Sequence, residues 1–574
     1  MELNHKFMLG AALQDCIHVA GILNFFRVME SFGYQTRFIG PAVDIQTFTR
    51  EISNSNAGSI GVSYRLTPRN GITHVKEFME TVQEKGLEDR TYYLGCLPDL
   101  AKEARKLGFF DAIFTGGETL NEVLGLLGIK RQKDTQGAGT CPQSLVERIT
   151  WKAPYPVLRA HFGLPSLQDT LDGVARIAKD GSLDIISIAP DQACQESLHR
   201  PGELGKVKGG AGGVPIRSRQ HLEQLYEASR QGNHPLLRIY SGTRDLLKNA
   251  SLFKESINNA WAAIPLFWYS ELDGRGPSNL RDALDEHVAA IKWHAKHGIP
   301  VEINDPHQWG LRMAPDHVVV ADAFLCANMA KFLGVRHYIE QIMFNTPTGN
   351  SLHMDLARAL AMVEIVQPLM DDSFTVLKQT RAGLAYLSPR EPVAMGQLCT
   401  STLLQLSINP HIMHVVSYCE GDHAARPEDI SKSCMLISRV IQDGLHGLPD
   451  MLLDPRIQQR KEELLVEAYN LITGILELGH RMNEKHPLTS LDVLHEAVKI
   501  GILDAPQIGH STVARGEINA RIVDGKCIVA SDSGKEVKEE ERLKMLGINI
   551  GTRKENQSIR HSMYEIHGRG EQNV

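Results

Sequence analysis

A chain of 574 residues is too long for one hydrophobic core, and two to four domains are expected. Apolar residues make up 42% and charged residues 22%, the proportions of an ordinary globular protein. A formal net charge of -7 leaves no basic excess to neutralise phosphates, which argues against a nucleic-acid-binding protein.

Strand and helix patterns alternate over residues 1–132. The apolar run FMLGAAL at 7–13 reads as a buried first strand. After it, Ile22, Leu23, Phe26, Met29 and Phe32 recur at helical spacing, and Gly33 can end that helix. His18 therefore falls on the loop between strand and helix, the edge at which open α/β sheets bind ligands. Taken alone, it equally resembles an ordinary loop histidine. TRFIG, GSIGVSYRL, TYYLGCL and DAIFTGG read as further strands, with helical stretches between them. In one of these, ITHVKEFMETVQEKG, Val75, Phe78, Met79 and Val82 share a face. The pattern is that of a doubly wound α/β domain. Periodicity then stops in KDTQGAGTCPQS, and residues 133–155 are expected to be a linker.

A second series of strand-then-helix units runs over residues 156–515. Its strand candidates include LDIISIAP, HPLLRIYSG, WAAIPLFWYS, IPVEINDP, HYIEQIMFN, GLAYLSP and IMHVVSYCEG. So many units in one domain predict a (β/α)8 barrel of the TIM type, with an active site on the strand-end loops. Residues 516–574 follow as an extension. ARIVDGKCIVAS is a hairpin turning at Asp-Gly, and the charged tail after Arg553 is expected to be disordered.

None of the nine cysteines forms a CxxC pair, so neither a disulfide framework nor a zinc ribbon is indicated. HIMHVVSYCEGDH gathers histidines, a cysteine and acids. Strand alternation would turn His411 and His414 to opposite faces, so polar strand ends explain the cluster more simply than a metal. Without a secretory pattern or an apolar run of about 18 residues, no membrane attachment is expected and the expected compartment is the cytoplasm.

The first domain resembles the cobalamin-binding domain. HVAG, His18 to Gly21, matches the HxxG of that family's DxHxxG motif, whose histidine is the lower axial ligand of cobalt. GVSYRLTP is similar to its serine-bearing third strand, with Ser63 in place and Arg65 and Thr67 beyond it. YLGCLP supplies Gly95, and FTGGET supplies Gly116 and Gly117, small residues past which the cofactor's nucleotide tail would run. The resemblance implies a cobalamin cofactor with His18 as cobalt ligand, oriented by a carboxylate on its other ring nitrogen. Two positions depart from the pattern. Asp15 precedes His18 by three residues rather than two, which puts Cys16 at the aspartate position, and Arg65 replaces a leucine.

The second domain is similar to the large subunit of glutamate mutase (methylaspartate mutase). The similarity runs through VLRAHFG, GVPIRSRQHLEQL, VEINDPHQWGLRMAPD and LHEAVKIGILDAPQIGHS. The chain thus looks like both subunits of that enzyme fused, with the cobalamin-binding part first. The resemblance implies an adenosylcobalamin-dependent isomerase, a radical carbon-skeleton mutase, with a homodimer through the barrel. Of three arginines that grip glutamate there, Arg159 is kept. The second position falls near Cys194 and Gln195, and the third falls at Tyr240, with Arg238 and Arg244 close by. The implied substrate is therefore a small carboxylic or amino acid other than glutamate, with one carboxylate on Arg159 and Trp268 and Tyr269 lining a less polar pocket. Glu302 and Asp305 end a strand and could bind a substrate amine, the adenosine ribose, or nothing.

Two other readings compete. A corrinoid-dependent methyltransferase also joins a cobalamin domain to a barrel, but it usually carries a helical cap before that domain, and the first strand here starts too early for one. A non-catalytic cobalamin-binding protein would tolerate the missing arginines, but would not need a complete barrel.

Overall fold

The computed structural model describes residues 3–127, 141–200, 202–203 and 212–551, which fall in two compact units, Met1–Asp134 and Thr135–Val574. The first unit is a parallel sheet of β1 (Asn4–Ala12), β2 (Gln35–Phe38), β3 (Ala57–Tyr64), β4 (Thr91–Cys96) and β5 (Ala112–Phe114), in the order β2-β1-β3-β4-β5. Its strands read as continuous apolar runs because helices cover both faces. Phe48, Phe78 and Tyr92 fill one side, and Met8, Ile22, Phe26 and Met29 fill the other. Each such side chain contributes about 1.5–3 kcal/mol on full burial. Gly10 lets the helix Ala20–Glu30 lie close to the sheet, since a Cβ there would stand 2.7 Å from the Phe26 ring.

The second unit is a barrel of eight parallel strands. They are β6 (Val157–Phe162), β7 (Ile185–Ile188), β8 (Leu236–Ile239), β9 (Ala262–Ala263), β10 (Val301–Glu302), β11 (His337–Phe344), β12 (Thr375–Ala382) and β13 (Ile412–His414). Each pairs with its sequence neighbour, and β13 returns to pair with β6. Closure between β8 and β9 comes from a parallel bridge, Tyr240 with Ala263, and from the Ala260 amide donating to the Leu237 carbonyl at 2.9 Å. A helix follows every strand, from Leu167–Asp180 after β6 to Pro427–Gly447 after β13. The (β/α)8 architecture expected from the sequence is therefore present in the second unit, and the doubly wound sheet in the first.

Three segments differ from expectation. GLAYLSP is not a strand. It holds a 3-10 turn, Leu384–Tyr386, and the seventh barrel strand is the preceding β12. That strand carries Lys378, Gln379 and Arg381, polar residues that hide its apolar alternation. Within the expected linker lies a helix, Leu145–Lys152, capped by Ser144, whose Oγ accepts from the Glu147 amide. Leu145 packs with Val157, Ile185, Leu236, Trp261, Ile339, Leu377 and Ile412, so this helix closes the amino-terminal end of the barrel. Much of the rest of the linker, and the tail from residue 552, lie outside the described residues. The expected hairpin forms from β14 (Ala520–Val523) and β15 (Lys526–Val529), turning at Asp524 and Gly525, both with positive φ. Among the described residues, no helix is long and apolar enough to cross a membrane.

Candidate functional site

The strand order of the first unit reverses direction between β1 and β3, where open sheets form a crevice. The carboxyl ends of β3, β4 and β5 and the helix after β1 enclose a cleft of about 430 Å³ there. Gly21, Phe25, Ser63, Gly95, Phe114 and Gly116 contribute to its wall. A Cβ on Gly95 would meet only the Val62 carbonyl, at 3.9 Å, so this glycine preserves open space rather than relieving a clash. The cleft wall combines small residues, Gly21, Gly61, Ser63, Gly95 and Gly116, with the aromatic rings of Phe25, Tyr93 and Phe114.

His18 stands beside this cleft on the β1 loop, exposed, and its carbonyl accepts from Ser63 Oγ at 3.4 Å. Among the described residues, no hydrogen bond or ion pair engages its ring. Asp15 instead lies 3.7 Å from His74 Nε2. Cys16 is fully buried, with its Sγ accepting from the Arg65 amide at 3.2 Å. Neither Asp15 nor Cys16 contacts the His18 ring. Thr67 is the residue before the helix Pro68–Glu84, exposed and off the cleft wall, and Gly117 adjoins Gly116 without lining it. Arg65 lies on the rim. Its Nη1 comes 3.7 Å from where a Cβ on Gly21 would stand, and its Nη2 3.7 Å from where one on Gly116 would stand. Burial pushes the Glu118 carboxyl up, but donors from the Thr115 hydroxyl and amide and the Gly116 amide outweigh it and bring it down to about 2. Glu118 thereby fixes the loop that presents Gly116.

In the second unit the inward side chains form layers. The lowest layer is apolar and belongs to the cluster closed by Leu145. Two residues higher on β6, β7, β8, β11, β12 and β13 the residue is polar, and strand pairing sets Arg159 beside His414, His414 beside Arg381, and Gln341 beside Gln379. Arg159 donates through Nη1 to Ser187 Oγ at 2.9 Å and through Nη2 to His414 Nδ1 at 2.7 Å. Arg238 Nη2 lies 3.5 Å from Glu302 Oε2, which also accepts from Trp261 Nε1 at 2.7 Å. Arg159 and Arg238 are each only 1% exposed, yet Arg159 Nε, Arg238 Nε and Arg238 Nη1 have no hydrogen-bond partner. Above them His161 stacks on Tyr240 with ring centres 5.3 Å apart, and the Tyr240 hydroxyl lies 3.3 Å from His161 Nε2. Opposite, His307 stands between the amides of Gln308 and Gln341, at 3.1 and 2.8 Å.

Burial and the neighbouring guanidinium of Arg238 lower Arg159 to about 9. Burial first, and then the surrounding arginines, hold His161, His307 and His414 well below the usual imidazole range, so all three rings are neutral. Asp305 takes no part in this layer. Its carboxylate accepts from the Leu266 and Phe267 amides, both at 2.6 Å, and burial raises it to about 7 despite those donors. Trp268 is fully buried against Trp309 and under the Arg312 guanidinium, and it shapes the loop after β9.

Of the barrel residues singled out from sequence, Arg159, Tyr240 and Glu302 are therefore brought together, and Asp305 is a loop anchor. The sequence reading did not bring together Ser187, Gln341, Gln379 and His414 of this layer with His161, His307 and Arg381 around it. The available signal was a polar residue at every second position of an apolar strand, as in Arg159 and His161 or Arg238 and Tyr240.

No family model matches the chain, and no curated protein matches it. Among solved structures, a cobalamin-binding protein from Desulfitobacterium hafniense DCB-2 is similar at 19% identity and a TM-score of 0.19. The similarity covers 22% of this chain and 60% of that one.

Proposed function

We propose that the chain is an adenosylcobalamin-dependent mutase that rearranges the carbon skeleton of a small acid. The reading is carried by one combination. A cleft with glycines in its wall lies beside the loop that carries His18 at a sheet's switch point, in the same chain as a barrel whose polar layer presents buried arginines with unused donors. The cleft suits the nucleotide tail of cobalamin, because Gly95, Gly116 and Ser63 leave the space that a displaced benzimidazole needs. His18, exposed and uncommitted among the described residues, would be the cobalt ligand.

When bound, adenosylcobalamin supplies a cobalt–carbon bond that breaks homolytically, and hence the radical chemistry. The chain's own residues bind and orient. Arg159 is held rigid by Ser187 and His414, and with Arg238 it offers charged donors to a substrate carboxylate. The uncharged His161 ring, stacked on Tyr240, supplies a polar edge without adding positive charge. The apolar layer beneath, closed by Leu145, keeps water from entering from below.

The test is reconstitution of the full chain with adenosylcobalamin, followed by absorption and EPR spectra of wild type and His18→Ala. Nitrogen superhyperfine coupling that the variant lacks would support imidazole ligation, and a cob(II)alamin radical signal on adding an acid would support mutase chemistry. Failure to bind cobalamin would sink the whole reading. Binding that is indifferent to His18→Ala would redirect it to methyl transfer.

A further inference from the structure

We infer that the barrel site takes a carboxylic acid that carries no ammonium group, held by Arg159 and Arg238 with Arg381 at the rim; this rests on the mutase reading and narrows its substrate class. Three guanidiniums face the polar layer. Arg159 and Arg238 sit within it, and Arg381 stands beside His414 on the neighbouring strand, with a buried Nε that has no partner. Buried cations with unmade hydrogen bonds call for an anionic ligand, and a carboxylate accepts from two or more of these donors at once.

An amino acid would also need a counter-charge for its ammonium, and the layer offers no uncommitted carboxylate: its unpartnered acceptor, Gln379 Oε1, is an uncharged amide oxygen. Glu302, the carboxylate in the layer, already faces Arg238 and accepts from Trp261. Asp305 is occupied by two backbone amides of the 266–267 loop. The remaining groups offer no negative charge: Ser187, Gln341, Gln379 and three imidazoles held uncharged. An ammonium entering here would meet an excess of positive charge in a desolvated site, where like charges repel strongly. The neutral wall of His307, Gln341 and Gln379 can hydrogen-bond a hydroxyl, a carbonyl or a second carboxyl, so the acid can be polar at its far end.

The experiment is isothermal titration of the full, cobalamin-reconstituted chain with a straight-chain series of diacids, succinate to adipate, and with the matching amino diacids, L-aspartate to L-2-aminoadipate. The expected result is that at least one diacid binds and that its amino analogue binds more weakly by roughly tenfold or more. Arg238→Lys, which keeps the charge but removes the fork, should weaken the best diacid by about tenfold. An amino diacid that binds as tightly as its unsubstituted partner overturns the inference, and so does the absence of binding at millimolar concentration by every diacid and by the matching monocarboxylic acids, butyrate to hexanoate. Because the comparison is between ligands on the wild-type chain, it stands even if the variant does not fold. Cobalamin uptake is read separately from the corrin absorbance. Failed discrimination with cobalamin bound removes this inference alone, whereas failed uptake removes the mutase reading.

Discussion

Arg159 on β6 donates to His414 Nδ1 on β13 across 2.7 Å, between two residues that strand pairing already places side by side. The bond fixes the tautomer of His414, whose proton must sit on Nε2. It also holds one arm of a guanidinium whose other arm is on Ser187. Replacing His414 with alanine leaves a fully buried charged donor without its acceptor, an expected loss of about 1–3 kcal/mol in stability. His414→Asn, which can still accept, should recover part of it. Denaturant unfolding of the two variants checks this, and equal stability of wild type and His414→Ala would rule the bond out as a structural contribution.

The cleft gives a prediction that separates folding from binding. A Cβ on Gly95 points into open space, so Gly95→Val should leave the unfolding midpoint close to that of wild type, since β-branched residues suit a strand. The added methyl groups would project into the cavity that the nucleotide tail requires. Cobalamin uptake, followed by gel filtration and corrin absorbance, should fall by about tenfold or more, which is roughly 1.4 kcal/mol. Undiminished uptake by a folded variant would mean the tail does not lie there.

What the sequence made legible follows from what each strand must do. The strands of the first unit are covered on both sides, so their apolar runs stand out, and the helices between them keep a clear apolar face. The barrel was legible from its repeated units, although β12 was not, because Gln379 and Arg381 face the polar layer and break the apolar signal. Gly21, Ser63, Gly95 and Gly116 could be found by motif because a cleft needs small residues at fixed places. The polar layer could not be assembled in this way. Arg159, Arg238, Glu302 and His414 lie far apart in sequence, and only barrel closure makes them neighbours. Asp305 shows the reverse failure: a strand-end carboxylate looks catalytic in sequence, while in the fold two backbone amides occupy it.

The hairpin turn has a local requirement of its own. Gly525 has φ +73°, and a Cβ there would lie 2.6 Å from Ser351 Cβ, while its carbonyl accepts from the Ser351 amide at 2.8 Å. Gly525→Ala therefore meets both a left-handed backbone and a steric clash, and should destabilise by about 1–3 kcal/mol. Asp524→Gly, which relaxes the other positive-φ position of the turn, should cost much less. Thermal unfolding of the pair distinguishes them, and an alanine variant with an unchanged midpoint would show that the hairpin is not anchored through Ser351.

His287 and Asp305 grip the same loop from two sides. The neutral His287 ring donates from Nδ1 to the Leu266 carbonyl at 3.0 Å, and the Asp305 carboxylate accepts from the Leu266 amide at 2.6 Å. Burial pushes the His287 imidazole down to about 4. In the unfolded chain the ring takes a proton near its ordinary value of about 6.5. Between those two values the unfolded state binds the proton and the folded state does not. The contribution of His287 is thus complete above about pH 6.5 and declines as pH falls, by up to about 1.4 kcal/mol per pH unit. His287→Gln keeps a donor for the Leu266 carbonyl but cannot titrate. The stability difference between wild type and His287→Gln, measured by denaturant at about pH 7 and about pH 5, should shift toward the variant at the lower pH. Groups common to both chains cancel in that difference. A difference that stays constant with pH would mean that the folded imidazole takes up its proton as readily as the unfolded one.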